Sequence, residues 1–427
     1  MSIHADLVIK NTSQVLTLSG ADSPRKREEM SKLGIIKKGA VVVADGKIAW
    51  VGPENEISKH VCICSATKIV DAEKCAVMPG FVEPHTHLIF AGTREEEFSR
   101  KIAGVSYMQI ASEGGGIKKT VRDTRSASAE QLYIGGLERI REALKLGITT
   151  IEIKSGYGLN FETEIKMLEV AKRLKETTPI EIVCTFLGAH EVPFDKDKVN
   201  YIDEVCSEMI PYVAEHKLAE FCDVFCEKGV YSVEESERVL LEGLKHGLIP
   251  KIHADQMTAG GGAELAARIG AVSAEHLDYI SSDGIKALSE NNVIGVLLPG
   301  SVFFLGLDKY APAREMISEG VPLALSSNFN PGSSMSLNIH LMMTIACLKY
   351  RMTIPETIVA TTINAACAIN RQHIIGSLSP GKRADIVILD CPSPEMIPYH
   401  FGHNHVRHVF CSGKFVVKDT IVLPFKA

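Results

Sequence analysis

The stretch Ala76-Val77-Met78-Pro79-Gly80-Phe81-Val82-Glu83-Pro84-His85-Thr86-His87 is an apolar run that ends in two histidines separated by one residue. Side chains on a strand alternate between faces, so His85 and His87 leave on the same side and can grip one metal ion. The pair alone is weak evidence, because strand histidines also serve packing and hydrogen bonding. Its weight comes from what the rest of the chain does at equivalent places.

From this run onward, eight apolar, β-branched segments of strand length follow one another: 77–87, 148–154, 181–190, 222–227, 249–255, 272–276, 293–298 and 322–328. Segments of helical character, such as 129–146, 162–175, 233–246, 263–269, 283–289 and 313–319, lie between them. Strands alternating with helices over ~250 residues predict parallel βα units, and eight of them predict a closed (β/α)8 TIM-like barrel. An open doubly wound sheet would carry a Gly-x-Gly-x-x-Gly turn after its first strand, and none follows His87.

In such barrels the chemistry sits where strands end and βα loops begin. Here those ends are polar. His85 and His87 close the first segment, Lys154-Ser155-Gly156-Tyr157 the second, His190 the third, His253 with Gln256 just beyond it the fifth, His276 the sixth and Asn328 the eighth. Four strands deliver imidazoles to one mouth, the pattern expected of a shared metal-centred site.

The flanks read differently. Residues 40–52 hold two β-rich runs separated by a turn, the signature of a hairpin, and residues 381–389 and 406–418 repeat the idea. Neither flank is long enough to make a comfortable domain by itself. Residues 1–76 and 376–427 are therefore expected to pack together as one small β-sandwich beside a barrel formed by 77–375.

His85-Thr86-His87 after the first strand, His253 after the fifth, His276 after the sixth and a β-domain shared by both termini resemble the amidohydrolase superfamily. Further segments resemble its imidazolonepropionase family: Phe90-Ala91-Gly92-Thr93-Arg94-Glu95-Glu96-Glu97-Phe98, Glu113-Gly114-Gly115-Gly116-Ile117, Lys154-Ser155-Gly156-Tyr157-Gly158-Leu159, Gly188-Ala189-His190, Asp223-Val224-Phe225-Cys226-Glu227-Lys228-Gly229 and Asn330-Pro331-Gly332-Ser333-Ser334. The similarity spans nearly the whole chain. It implies hydrolysis of the cyclic amide of 4-imidazolone-5-propanoate to N-formimidoyl-L-glutamate, in histidine degradation. By the same resemblance His85, His87 and His253 bind one divalent or trivalent metal ion per chain, zinc or iron, which acidifies a water enough to attack the ring carbonyl at neutral pH. Arg94 is expected to pair with the propionate carboxylate, a task its planar donor fork suits. Tyr107, Tyr157 and His190 match positions that line the substrate pocket, as do Asn330, Gly332 and Ser333 after the eighth strand. Gln256 matches a Glu or Gln position that hydrogen-bonds substrate, and His276 is expected to hydrogen-bond the attacking water or the developing oxyanion. The resemblance also implies a homodimer.

Each assignment has a plainer rival. Arg94 sits among Glu95, Glu96 and Glu97 and also fits a solvated helix start. Gly114, Gly115 and Gly116 suggest a phosphate cradle, but no Gly-Lys-Ser/Thr follows, and a loop over the barrel mouth fits better. Tyr107 and Tyr157 also fit as amphipathic fillers. Tyr157 lies in a Gly-flanked loop after a strand, which favours a pocket role.

The chain departs from the family pattern at Asn328, within Ser326-Ser327-Asn328-Phe329-Asn330, where the family carries an Asp as metal ligand and proton acceptor. An amide oxygen still approaches a metal, but it brings no negative charge and no useful basicity at neutral pH. With Gln256 also neutral, His276 is the one obvious base left near the expected water. The expectation is a chain that keeps its substrate pocket and much of its metal site while catalysis is impaired. Asn328 is then a deliberate substitution, a natural change compensated by His276, or the mark of a homologue that has left catalysis. Two competing functions stay open: a metal-containing binding barrel without turnover, and a cyclic amidohydrolase or deaminase for another small ring. The set Arg94, Tyr157 and His190 argues against the second.

Two-metal relatives bridge their ions through a modified Lys or a carboxylate from a middle strand. Lys228 follows the apolar core of the fourth segment and precedes Gly229, so it reads as loop, and one metal is expected. At 427 residues and 45% hydrophobic content the chain can bury a large core. Its 46 basic against 52 acidic residues give a formal charge of −6, which offers no footprint for nucleic acid. No run approaches a membrane span, and residues 1–10, with His4 and Asp6, do not read as a signal peptide. The 11 cysteines show no Cys-x-x-Cys pair and fit reduced thiols in the cytoplasm. The expected partner is a small-molecule substrate.

Overall fold

A computed structural model, describing residues 3–105, 109–110 and 113–425, places eight parallel strands side by side in chain order. They are β1 (Phe81–Glu83), β2 (Ile148–Lys154), β3 (Glu181–Ala189), β4 (Phe221–Cys226), β5 (Ile249–Ala254), β6 (Ser273–His276), β7 (Ile294–Leu297) and β8 (Leu323–Leu325). The ring closes just past β1 and β8, where Thr86 and Phe329 form a parallel bridge and the His87 N–H donates to the Phe329 carbonyl at 3.0 Å. Glu83 reinforces this seam. Its carboxyl accepts the Ser327 N–H at 3.0 Å and meets the Ser326 hydroxyl, which also lies 2.8 Å from the His85 carbonyl.

Helices Ala129–Lys145, Phe161–Thr177, Val233–Lys245, Gly262–Ile269, Ser282–Glu290 and Ala313–Glu319 match the predicted periodic segments to within two residues at each end. Two of them start with reciprocal caps, Ser128 with Gln131 and Ser232 with Glu235, which satisfy N–H groups that have no partner inside the helix. Strand β2 shows how charge enters the barrel. All its residues are buried, and Ile151 and Ile153 join the apolar layer shared with the helices. The alternation that sends them outward sends Glu152 and Lys154 inward.

The segment 77–87 differs from its prediction as one strand. Ala76–Pro79 pairs with Ile386–Leu389 and Gln14–Leu16 in a seven-stranded sheet, and β1 begins in the barrel at Phe81. Gly80 sits at the changeover because a Cβ there would stand 2.2 Å from the Thr149 hydroxyl oxygen, so the passage needs a residue without a side chain. Periodicity cannot report such a change, since an apolar run reads alike in either sheet.

The seven-stranded sheet interleaves the termini. Ile386–Leu389, Val406–Cys411, Lys414–Lys418 and Ile421–Val422 lie on one side of Ala76–Pro79, with Gln14–Leu16 and Ile35–Lys37 on the other. A four-stranded sheet of Lys47–Pro53, Gly39–Ala44, Leu7–Lys10 and Lys68–Asp71 faces it across a separate apolar core that includes Ile9, Val41, Val77, Ile386, Ile388 and Phe410. The predicted hairpin is Gly39–Ala44 paired with Lys47–Pro53, turning on Asp45 and Gly46, both at positive φ as a two-residue hairpin turn requires. No described helix is long and apolar enough to cross a membrane.

His340, on helix Ile339–Lys349, is fully buried with its ring 5.2 Å from that of Phe81. Burial lowers it from 6.5 to about 4. The unfolded chain takes up this proton below ~6.5 while the folded chain resists, so stability is full above that pH and falls as pH drops toward 4, by at most about 3 kcal/mol from this group. Denaturant titrations at stepped pH are expected to show the loss, and His340→Gln is expected to make it shallower by this group's share, since His85, His87, His190 and His276 are depressed in the same way. Equal slopes in both proteins would assign the acid sensitivity elsewhere.

Candidate active site at the barrel mouth

His85 and His87 extend past β1, His253 lies on β5, and one ring nitrogen from each falls within 4.8 Å of the other two. All three residues are buried, and His85 Nε2, His253 Nε2 and His87 Nδ1 have no hydrogen-bond partner. Buried polar atoms are seldom left so, and three imidazoles facing one point are a donor set that suits zinc or iron. Behind two of the rings stand carboxylates. His85 Nδ1 lies 2.5 Å from Glu275 on β6, and His253 Nδ1 lies 3.0 Å from Asp223 on β4. A carboxylate there holds the ring proton on Nδ1 and leaves the Nε2 lone pair for a metal. Burial pushes His85 down to about 3 and His190 to about 4, and with the neighbouring rings it holds His87 and His276 well below the ordinary range. At neutral pH these four rings are uncharged.

Beneath the histidines lies a buried charged layer. The Lys154 ammonium stands 2.8 Å from Asp223, 3.0 Å from Glu275 and 3.2 Å from Glu152. Lys251 stands 2.8 Å from Glu152 and 2.9 Å from Glu275. Burial would neutralise Lys154, but the three carboxylates override it and hold the ammonium charged. Burial would likewise raise Asp223 and Glu275. His253 and Lys154 beside the first, and His85 with both lysines beside the second, hold them low instead. Three carboxylates against two ammonium groups leave a negative charge under the imidazoles, which favours a cation above them.

Lys154 is legible in the sequence as a strand end and Asp223 only within a segment of family resemblance, whereas Glu152, Lys251 and Glu275 go unnoticed there. A signal was present. Glu152 and Lys154, and Lys251 and His253, are charged or polar at alternate positions of apolar strands, where a barrel interior ordinarily holds branched aliphatic residues.

The remaining predicted residues fall around this centre. His276 ends β6 at φ 77°, its ring 5.3 Å from that of His253 and 5.8 Å from that of His85, with Nδ1 unpartnered. Asn328, at φ 51°, donates from Nδ2 to Ser301 Oγ at 2.8 Å and leaves its buried Oδ1 without a partner. Asn and His are among the side chains that enter this left-handed region most readily. The His190 ring stacks on His87 at 4.8 Å, and Tyr157 lies 5.6 Å from His87 and 5.4 Å from His190. Glu164 fixes the Tyr157 loop by accepting the N–H groups of Gly156, Gly158 and Leu159 at 2.9, 2.7 and 2.8 Å.

Arg94 is 15% exposed and donates from Nε to Glu97 at 2.8 Å, while Glu97 also accepts the Gly116 N–H. A Cβ on Gly332 would stand 2.4 Å from Arg94 Nη1, so this glycine makes room for the guanidinium. Asn330 spends its amide within its own loop, accepting from Gly332 and Ser333 N–H and donating to the Asn328 carbonyl and the Ser333 hydroxyl. Gln256 is half-buried in the loop after β5, and Tyr107 lies outside the described residues. Lys228 is exposed, and Glu227 beside it holds the Met257 N–H and the Thr258 hydroxyl.

Residues 76–416 match the Amidohydrolase family. The imidazolonepropionase of Geobacillus kaustophilus (strain HTA426) is 48% identical over 417 residues, covering 97% of this chain and 98% of the relative. That of Alkaliphilus oremlandii (strain OhILAs) is 46% identical over 423 residues, covering 99% and 100%. Among solved structures, a zinc-bound adenosine deaminase from Xanthomonas campestris superposes with a TM-score of 0.72 at 18% identity over 99% of this chain and 95% of that one. Guanine deaminase from E. coli gives 0.70 at 16% identity over 96% and 98%. At such identities the structures speak for the fold alone. The barrel, its histidine centre and the full-length similarity together place this chain in the amidohydrolase family, among the imidazolonepropionases.

Proposed function

We propose that the chain hydrolyses the cyclic amide of 4-imidazolone-5-propanoate to N-formimidoyl-L-glutamate, the ring opening of histidine degradation. Water adds to the ring carbonyl, the amide C–N bond breaks, and the leaving nitrogen takes a proton. The observation that carries this reading is the meeting of His85, His87 and His253 at one mouth, with the Arg94 guanidinium seated against Gly332 of the loop after the eighth strand. When bound to the three histidines, one zinc or iron ion supplies Lewis acidity toward carbonyl and water. A single ion is favoured because the Lys154 ammonium already fills the space between Asp223 and Glu275.

The chain's own residues divide the rest of the work. Arg94 offers its Nη groups to the propionate, since Nε is already engaged by Glu97. Tyr157 and His190 wall the ring, and Gln256 hydrogen-bonds it. Neutral His276 accepts a hydrogen bond or proton from the attacking water, and Asn328 turns a neutral oxygen toward the same place. The 11 cysteines, all free, support a cytoplasmic setting.

Metal-loaded protein is expected to convert 4-imidazolone-5-propanoate with appearance of N-formimidoyl-L-glutamate, and Arg94→Ala to raise KM by one to two orders of magnitude, as loss of a hydrogen bond to charge worth about 1.5–3 kcal/mol requires. No conversion despite bound metal, or a KM indifferent to Arg94, overturns the reading.

A further inference from the structure

A second group of three histidines lies away from the barrel mouth, where the short helix Met396–Tyr399 leads into the strand Val406–Cys411. His400, His403 and His405 each bring a ring nitrogen within 4.8 Å of the others. Their ring centroids are 4.3, 4.6 and 5.1 Å apart. His400 and His403 are exposed, whereas the His405 side chain is 5% exposed. His405 Nδ1 lies 2.6 Å from Asp390, and its Nε2 is buried with no hydrogen-bond partner. Asp390 also comes within 3.8 Å of His403 Nε2. A carboxylate on one nitrogen and a bare nitrogen on the other is the state of His85 and His253 in the barrel, here rebuilt at the edge of the sandwich.

The backbone holds the arrangement as a unit. The His403 N–H donates to the His400 carbonyl at 3.0 Å, and the Asp390 N–H donates to the His405 carbonyl at 2.9 Å. Asn404 anchors the turn to the end of helix Ala129–Lys145 through the Lys145 carbonyl at 2.9 Å. Cys391, next to Asp390, is pushed up by burial to about 11 and donates its thiol proton to the Ser393 carbonyl at 3.3 Å.

We infer that His400, His403 and His405 form a second, non-catalytic site for a divalent transition-metal ion such as Zn2+, with Asp390 orienting His405. Imidazole donors select zinc, copper or nickel over magnesium or calcium. His405 is the fixed template, and the two exposed rings close on the ion by side-chain rotation to zinc–nitrogen distances of about 2.0–2.1 Å. The ion would tie the 390–405 connection into one rigid clip against the barrel helices.

Metal-stripped full-length protein dialysed against Zn2+ alone is expected to take up about two ions per chain, one in each histidine set. His403→Ala, and separately His400→Ala, is expected to lose one ion and to keep the parent's ring-opening rate once saturated. His253→Asn is expected to lose the other ion, and His253→Asn/His403→Ala both. A parent that binds one ion, or a pair of ions that persists in His400→Ala/His403→Ala, overturns the inference. These counts are read without any turnover, so they stand or fall apart from the substrate assignment.

Discussion

Asn328→Asp is expected to raise kcat on 4-imidazolone-5-propanoate by on the order of 100- to 10,000-fold at equal metal occupancy, the usual worth of a positioned general base. The position is already prepared for a carboxylate. The Asn328 oxygen is buried without a partner, one residue before Phe329, whose carbonyl accepts the His87 N–H, and Ser301 has a hydroxyl that can turn from accepting the amide proton to donating toward an acid. What the amide lacks is a negative charge and a place for the proton. His276 supplies a neutral ring nearby, and its depressed basicity makes it a weak acceptor. Steady-state rates of both proteins, with metal content measured in each, test this. Equal kcat at equal metal content would show that proton transfer runs wholly through His276 or another group.

Lys154→Met is expected to destabilise the fold by about 3–5 kcal/mol, the cost of leaving buried charges without their partner. Lys154 contacts three carboxylates, and Lys251 reaches Glu152 and Glu275 but not Asp223, which would keep the His253 ring and the Val224 N–H and no ammonium. Chemical denaturation of parent and variant measures the difference. Adding Glu152→Gln should return part of it by removing one uncompensated charge. A variant within 1 kcal/mol of the parent would mean that water or a proton reaches this layer and screens it.

Much of this was legible in the chain. Alternation of apolar strands with periodic helices marks the barrel, and 148–154 and 313–319 fall on the observed elements because nothing interrupts their patterns. Segment 322–328 runs past the end of β8: Ser326 still gives its N–H to the Leu297 carbonyl, but its hydroxyl, the Ser327 N–H and the Asn328 amide turn to the His85 carbonyl, Glu83 and Ser301. Histidines at strand ends point to the metal centre from sequence, since one face of several parallel strands is shared. The ion pairs beneath it were not legible as pairs. Glu152, Asp223, Lys251 and Glu275 come from four strands, and only closure of the ring decides which charge meets which.

That closure also bears on the order in which the molecule assembles. The contacts between Glu83 or His85 and Ser326 or Ser327 join residues 241 to 244 positions apart, and the seam is held by few backbone bonds. Contacts so distant in sequence must wait until intervening chain is ordered, because closing a long loop costs entropy before any pairing repays it. The catalytic mouth, which straddles the seam, is therefore among the last parts of the barrel to form and among the first to open, and an ion held by His85, His87 and His253 fastens the first strand of the barrel to its fifth.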